Sequence, residues 1–297
     1  MQNKRAYLKN YLIISNKSKN TMQSFYINLD HAVERDSIIQ NQIKESKLLF
    51  DIERFSAVYG KNVPGKLESL SAGQLGCLLS HIGVVEKSLT TDDHLMVLED
   101  DEEFSSMLNH SITLTNELDP KDWDIFYIDL TIVEIEDFLF VGRNFNSLIK
   151  NNLKPTALKL PVSFKAYGTH AYIINKNSKY KILGLLKNNL NIGLAIDNIF
   201  CAAIKEGLIN AYMALPLLAK PGEETMKSQI TTGTHTLQES WIEFRNLLNI
   251  EQILNNPNEY ISGGLIEKTI RSVVSDRLNY SPLEVFDPYL KKIKSLN

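Results

Sequence analysis

Residues 94–104 read HLMVLEDDEEF, so five consecutive carboxylates, Glu99, Asp100, Asp101, Glu102 and Glu103, follow directly on an apolar run. Adjacent acids at the carboxyl end of a strand occupy the place where open α/β sheets bind ligands. A divalent cation offsets their repulsion, and hard carboxylate oxygens suit Mg²⁺ or Mn²⁺. Without a cation, at least one acid should have a raised pKa. In an extended chain Glu99 and Asp101 point to one side and Asp100 to the other. A solvated acidic turn accounts for the same run, and Glu102 and Glu103 read more simply as surface charges near a helix start. A second chemical constellation is SAGQLGCLLSH (71–81). Its pairs Gly76/Ser80 and Cys77/His81 are four apart and share helix faces. Glycine in a helix interior costs about 1 kcal/mol against alanine, so Gly76 implies close approach of a backbone or a ligand. Cys77/His81 is a poor zinc half-site, because no second Cys/His pair has ligand spacing.

The elements that position these residues are legible from pattern. SFYINL (24–29) reads as a buried strand, followed by a helix with Asp30 as possible cap. FDIERFSAV (50–58) is a second strand, ended by a Gly/Pro turn. Ser71 with Gln74 three residues on predicts a capping box opening a helix over 71–89. HLMVL is the third strand, WDIFYIDL (123–130) the fourth and THAYIIN (169–175) another, with a helix over 177–188 and an irregular surface excursion over 131–165. Strands alternating with helices predict an α/β domain with a largely parallel sheet. Three units are expected: a loosely ordered leader over 1–21, a catalytic domain over 22–235 and a helical C-terminal subdomain over 236–297. Met22 stands before the first strand, and translation could start there. In the tail, Leu237, Trp241, Phe244 and Leu248 fall on one helix face.

The 297 residues suffice for a substantial core. A 43% hydrophobic and 23% charged composition is that of a globular protein, and a net charge of −3 gives no drive toward nucleic acid. Two cysteines make no disulfide framework, and no run of about 18 apolar residues predicts a transmembrane helix. YLIIS near the N-terminus is too short for a signal-peptide core, so a cytoplasmic location is expected.

Four motifs in order resemble glycosyltransferase family 25, whose members include lipooligosaccharide and collagen galactosyltransferases: YINLDHAVERD, FSAVYGK, SAGQLGCLLSH and LEDD. Weaker echoes follow in GTHAYIIN, AIDNIF and LPLLAK…SQI. The resemblance covers 24–104 closely, extends to about 230 and leaves the helical tail outside. It implies fold type A, a Rossmann-like catalytic domain with a mostly parallel central sheet and, here, a helical C-terminal extension. It also implies transfer of a sugar, galactose from UDP-galactose, to an acceptor hydroxyl with inversion. Mn²⁺ or Mg²⁺ would bridge the leaving diphosphate.

On that reading Asp101 and Glu99 anchor the metal and the ribose, with Asp101 the direct ligand. Asp100 assists or bonds the backbone. His170 can add a ligand from a neighbouring strand, although a lone histidine on an apolar strand is more often a satisfied core residue. Inversion requires a base opposite the leaving group. Asp197, an isolated acid in GLAIDNIF, is the candidate, with helix N-cap or ion-pair partner as the plainer account, and Asp129 competes for the role. Asn28, Asp30 and Arg35, with Lys220 as a lesser candidate, would contact the donor nucleotide. His81 would hydrogen-bond near donor or acceptor. A bacterial enzyme would take an oligosaccharide or lipid-linked glycan acceptor, with possible peripheral contact of the Lys-rich C-terminus with the inner face of the inner membrane.

Gly-x-Gly-x-x-Gly and Gly-Lys-Ser/Thr are both missing, which argues against dinucleotide-binding dehydrogenases and P-loop NTPases. Two alternatives stand. A sugar-phosphate nucleotidyltransferase would also want paired acids and a metal. A non-catalytic sugar-nucleotide-binding homologue or assembly partner would not need a base.

Overall fold

A computed structural model describes residues 22–64, 69–132, 134–150, 154–222 and 245–255. The expected leader, most of the helical tail and its Lys-rich end lie outside these residues. Among the described residues nine strands are formed: β1 (Met22–Asn28), β2 (Ile52–Ser56), β3 (His94–Glu99), β4 (Glu102–Phe104), β5 (Ile125–Thr131), β6 (Thr156–Lys159), β7 (Tyr167–Ile174), β8 (Ala211–Leu215) and β9 (Ala219–Pro221). The helices are α1 (Val33–Glu45), α2 (Ala72–Ser88), α3 (His110–Asn116), α4 (Ile135–Lys150), α5 (Lys179–Leu190), α6 (Ile196–Lys205) and α7 (Ile250–Asn255).

Seven strands form one sheet in the order β2-β1-β3-β7-β5-β8-β6, and β4 pairs with β9 in a separate ribbon. Strand β7 runs antiparallel to β3 and β5, and β6 antiparallel to β8, while the remaining sheet pairs are parallel. Five of the seven strands therefore point the same way. This is a mixed α/β architecture with a mostly parallel central sheet.

The central strands are apolar on both faces, as a sheet covered on both sides requires. Alternation sorts their residues into two cores. Phe25, Leu95, Val97, Tyr127 and Tyr172 join one cluster with Leu78, Val85, Phe138, Phe145, Leu186 and Phe200 from α2, α4, α5 and α6. Tyr26, Met96, Leu98, Phe126 and Ile173 join the other with Ile39 of α1 and Ile112 of α3. Glu99 continues the parity of Leu95 and Val97, so it leaves the sheet on the α2 side.

Both bonds of the expected capping box are present at α2: Ser71 Oγ accepts from Gln74 N at 3.2 Å, and Ser71 N donates to Gln74 Oε1 at 2.9 Å. At the other end Lys179 donates to the carbonyls of Ser88 and Thr91, a cation placed at the negative pole of the helix. Gly76 fits the close approach inferred for it, since a Cβ there would lie 2.5 Å from the Val58 carbonyl oxygen and 2.8 Å from Gly60 N.

Two expectations are corrected. Asp30 does not cap α1, whose N-cap is Ala32 without a side-chain bond; its carboxylate is taken by Arg54 at 2.8 Å and Ser56 at 2.7 Å. The segment 131–165 is no surface excursion. Its Phe138, Val141, Phe145 and Leu148 recur at helical spacing, and α4 buries all four. Asp129 leaves the alternation of its strand. Register shifts on either side of it put Leu130 and Ile132 on the face of Ile125 and Tyr127, the bulge turning Asp129 away.

Asp129, fully buried, is bidentate with the buried Arg245, its Oδ1 accepting from Nε at 3.2 Å and its Oδ2 pairing with Nη2. The same segment hydrogen-bonds the chain after β8. Leu217 N donates to Leu248 O at 2.8 Å and Ile250 N to Leu217 O at 3.0 Å. Residues 245–255 thus share the core of the sheet, with Leu248 and Ile253 in one cluster and Ile250 in the other. No helix among the described residues is long and apolar enough to cross a membrane.

Replacing Arg245 by methionine leaves Asp129 as an uncompensated buried charge. The expected loss is about 3–5 kcal/mol in urea unfolding. The double variant with Asp129→Asn should recover most of it, and strictly additive losses would contradict the coupling.

Candidate functional site

Chain order fills the sheet outward from β1, first to β2 on one side and then to β3 on the other. The carboxyl ends of β1 and β3 therefore border a topological switch point, where such sheets bind ligands. A cleft of about 400 Å³ opens there, lined by Leu29, Ala32 and Arg35 after β1, by Tyr59 and Gly60 after β2, by Gly76, Cys77 and His81 of α2 and by Glu99, Asp100 and Asp101.

The two directions expected of the acidic run are both used. Asp100 turns toward β1, where Oδ2 accepts from Asn28 Nδ2 at 2.7 Å and Oδ1 from Arg35 Nη1 at 2.9 Å. Arg35 also comes within 3.9 Å of Asp101. Asn28 is buried and passes the network on, accepting from Arg54 Nε at 2.9 Å. Arg35 and Asp100 line the cleft, while Asn28 and Asp30 are not among the lining residues and belong to the Arg54 network.

On the other side Glu99 and Asp101 meet His170 of β7. Each offers a ligand atom, and these atoms all lie within 4.8 Å of one another. His170 Nδ1 is buried and makes no hydrogen bond, 3.8 Å from Glu99 Oε2 and 4.0 Å from Glu102 Oε1. Two carboxylates and an imidazole nitrogen turned toward a common point fit a divalent cation of the Mn²⁺ or Mg²⁺ type, with open positions left to the cleft.

The charges are mutually adjusted. Burial raises Asp101, and Glu99 raises it further. Burial likewise raises Asp100, outweighing its bonds to Asn28 and Arg35. For Glu99 burial acts upward, but contact with His81, the charge of His170 and a 3.2 Å bond from Thr169 Oγ1 hold it down at about 2. Burial would lower His170; Glu99, Glu102 and Asp101 together push it above the ordinary imidazole value. Glu102 is buried in the β4–β9 ribbon, not on the surface as the sequence suggested, and burial pushes it up to about 7. Its Oε1 is 3.8 Å from Arg245 Nη2.

His81 is buried beneath the cleft, its Nδ1 2.8 Å from Tyr172 Oη and its Nε2 3.5 Å from Glu99 Oε1. Asp197 lies half-buried in the first turn of α6, its Oδ1 accepting from Asn198 N at 2.8 Å. Burial raises it, and the charges of His170 and Glu99 act on it through space. Asp197, Asp129 and Lys220 are not among the residues lining the cleft. Lys220, on β9, pairs with Glu103 at 2.7 Å. Sequence reasoning passed over Arg245, Thr169 and Tyr172. Only Arg245 left a signal, lying four residues after Trp241 and three before Leu248, on the apolar face of a helical pattern.

Residues 21–200 match the profile of glycosyltransferase family 25 (LPS biosynthesis protein). No curated protein matches the sequence. Among solved structures, an active-site mutant of LgtC is similar at 11% identity, covering 74% of this chain and 83% of that one, with a TM-score of 0.34. A putative glucose-1-phosphate thymidylyltransferase from Bacillus anthracis, in complex with a sucrose, is similar at 10% identity. That match covers 72% of this chain and 98% of the other, with a TM-score of 0.34.

A cation can use His170 only after the imidazolium has lost its proton. Because His170 sits above its ordinary value, Mn²⁺ affinity should be full above that raised value and fall by roughly tenfold per pH unit below it. Calorimetric titration across pH measures this, and His170→Gln should reduce the slope. A wild-type affinity that does not vary with pH would contradict the assignment.

Proposed function

The chain belongs to glycosyltransferase family 25, and we propose that it is a metal-dependent inverting enzyme moving galactose from UDP-galactose onto a lipooligosaccharide or related glycan. The observation that carries this reading is the convergence of Glu99, Asp101 and His170 beside the cleft at the ends of β1 and β3. A Mn²⁺ or Mg²⁺ ion held by these three would supply Lewis-acid stabilisation of the charge that develops on the departing diphosphate.

The chain's own residues supply the remainder. Arg35, held by Asp100, lines the cleft, where charge-assisted bonds to phosphate oxygens would hold the donor. Asn28 orients Asp100, and Asp30 with Arg54 and Ser56 closes the end of β1. Lys220 is already engaged by Glu103 and serves the diphosphate only if that pair opens. His81 steadies Glu99. For the acceptor, Asp197 is the base: partial burial keeps its carboxyl nearer a proton-accepting range, and no cationic side chain hydrogen-bonds it among the described residues. Asp129 is less suited, because Arg245 occupies both its oxygens. The acceptor is a sugar hydroxyl of an oligosaccharide or lipid-linked glycan, which would bring the enzyme to the inner face of the inner membrane.

Two variants test the roles. Asp101→Asn should lose about a thousandfold or more in Mn²⁺-dependent UDP-galactose hydrolysis, equivalent to roughly 4 kcal/mol of barrier, with an unchanged circular dichroism spectrum. Asp197→Asn should lower kcat of transfer by about a hundredfold to ten-thousandfold while Mn²⁺ and donor still bind. In the wild type the acid limb of kcat should lie above the ordinary aspartate value, because the base works only deprotonated and burial raises its pKa. Near-normal turnover by Asp197→Asn would remove it as the base.

A further inference from the structure

Helix α2 carries two metal-ligating side chains: Cys77, which the sugar-transfer reading does not use, and His81, which in that reading only steadies Glu99. Cys77 and His81 are one turn apart on the face that looks at the end of β3, and Glu99 leaves the sheet on that side. The sulfur of Cys77, a ring nitrogen of His81 and a carboxylate oxygen of Glu99 all lie within 4.8 Å of one another. From this geometry we propose that Cys77, His81 and Glu99 form a binding site for a thiophilic divalent cation such as Zn²⁺, distinct in ligand chemistry from the Glu99–Asp101–His170 group.

His81 provides the independent indication of a ligand. It is only 1% exposed, yet its Nε2 makes no hydrogen bond and is aimed at Glu99 Oε1, 3.5 Å away. The opposite nitrogen, Nδ1, is 2.8 Å from Tyr172 Oη, and the two rings stack with centroids 5.7 Å apart. A proton on Nδ1, donated to Tyr172, leaves the Nε2 lone pair facing a carboxylate oxygen, and a cation resolves that opposition. Metal-bound histidines are oriented in the same way, through a hydrogen bond from the other nitrogen. Cys77 and Glu99 both line the cleft, which gives an ion a route in and leaves the fourth tetrahedral position open to solvent. The sulfur sets the preference, since Mg²⁺ and Mn²⁺ favour the all-oxygen and imidazole group next door. Binding converts the Cys77 thiol to thiolate, with one proton released to solvent. Glu99 belongs to both groups, so a thiophilic ion draws on a carboxylate that the neighbouring cluster also requires.

Cadmium titration of the full-length protein reads this site through the ultraviolet charge-transfer band of a cadmium–thiolate bond. The chain has two cysteines, so the sulfur is assignable. The band should saturate at one equivalent, vanish in Cys77→Ser and persist in Cys201→Ser. Tyr172→Phe should weaken binding by about 10- to 100-fold. Asp101→Asn should keep the band, so that failure of the neighbouring hard-cation cluster is read separately. A second measurement needs no variant: Zn²⁺ should slow iodoacetamide alkylation of Cys77, mapped by mass spectrometry, and leave that of Cys201 unchanged. A band that is absent from the wild type or survives Cys77→Ser, or alkylation of Cys77 at one rate with and without Zn²⁺, would overturn the proposal.

Discussion

The constraint on which this site depends is the crowding of Glu99, Asp100, Asp101 and Glu102 into a largely water-excluded corner. Two like charges about 4 Å apart cost on the order of 4 kcal/mol at an effective dielectric constant near 20. The chain could not hold four such groups without counter-charges of its own. It supplies one for each direction. Arg35 answers Asp100, His170 answers Glu99, and His170 with Arg245 answers Glu102. Burial outweighs these counter-charges and holds Asp100, Asp101 and Glu102 above their ordinary pKa values. A corner that still carries an excess of carboxylate is one prepared for a further cation.

The counter-charges come from distant parts of the chain, and the fold exists to assemble them. Arg35 is set by the first helix after β1, His170 by the antiparallel strand β7 and Arg245 by a segment that hydrogen-bonds back onto the chain after β8. The parity of β3 then divides the acids, sending Glu99 and Asp101 to one side and Asp100 to the other. Because Arg245 bridges toward both Asp129 and Glu102, the C-terminal segment belongs to the site's support.

Much of this was legible from residue order alone, for identifiable reasons. The capping box at Ser71 and Gln74, the two-faced apolar runs of β1, β3, β5 and β7, and the small-residue contact at Gly76 each follow from local rules that tertiary structure left intact. The helix over 135–150 was hidden by its Asn and Lys content, although Phe138, Val141, Phe145 and Leu148 kept its period. The bulge that turns Asp129 toward Arg245 has no local signal, since strict alternation cannot anticipate it, and Glu102 was misplaced because a two-stranded ribbon with β9 is a long-range pairing. Asp30 looked like a cap and became a partner of Arg54, which nothing near it in sequence announces. Side-chain type was therefore readable, whereas partnership across the fold was not.

The central claim, that Glu99, Asp101 and His170 jointly hold a divalent ion, is tested most directly by pulsed electron paramagnetic resonance of Mn²⁺ bound to protein labelled with ¹⁵N-histidine. The account predicts a nitrogen hyperfine coupling from a single directly bound imidazole, lost in His170→Gln and preserved when His81 is replaced by asparagine. A bound Mn²⁺ without nitrogen coupling, or with a coupling that survives His170→Gln, would contradict it.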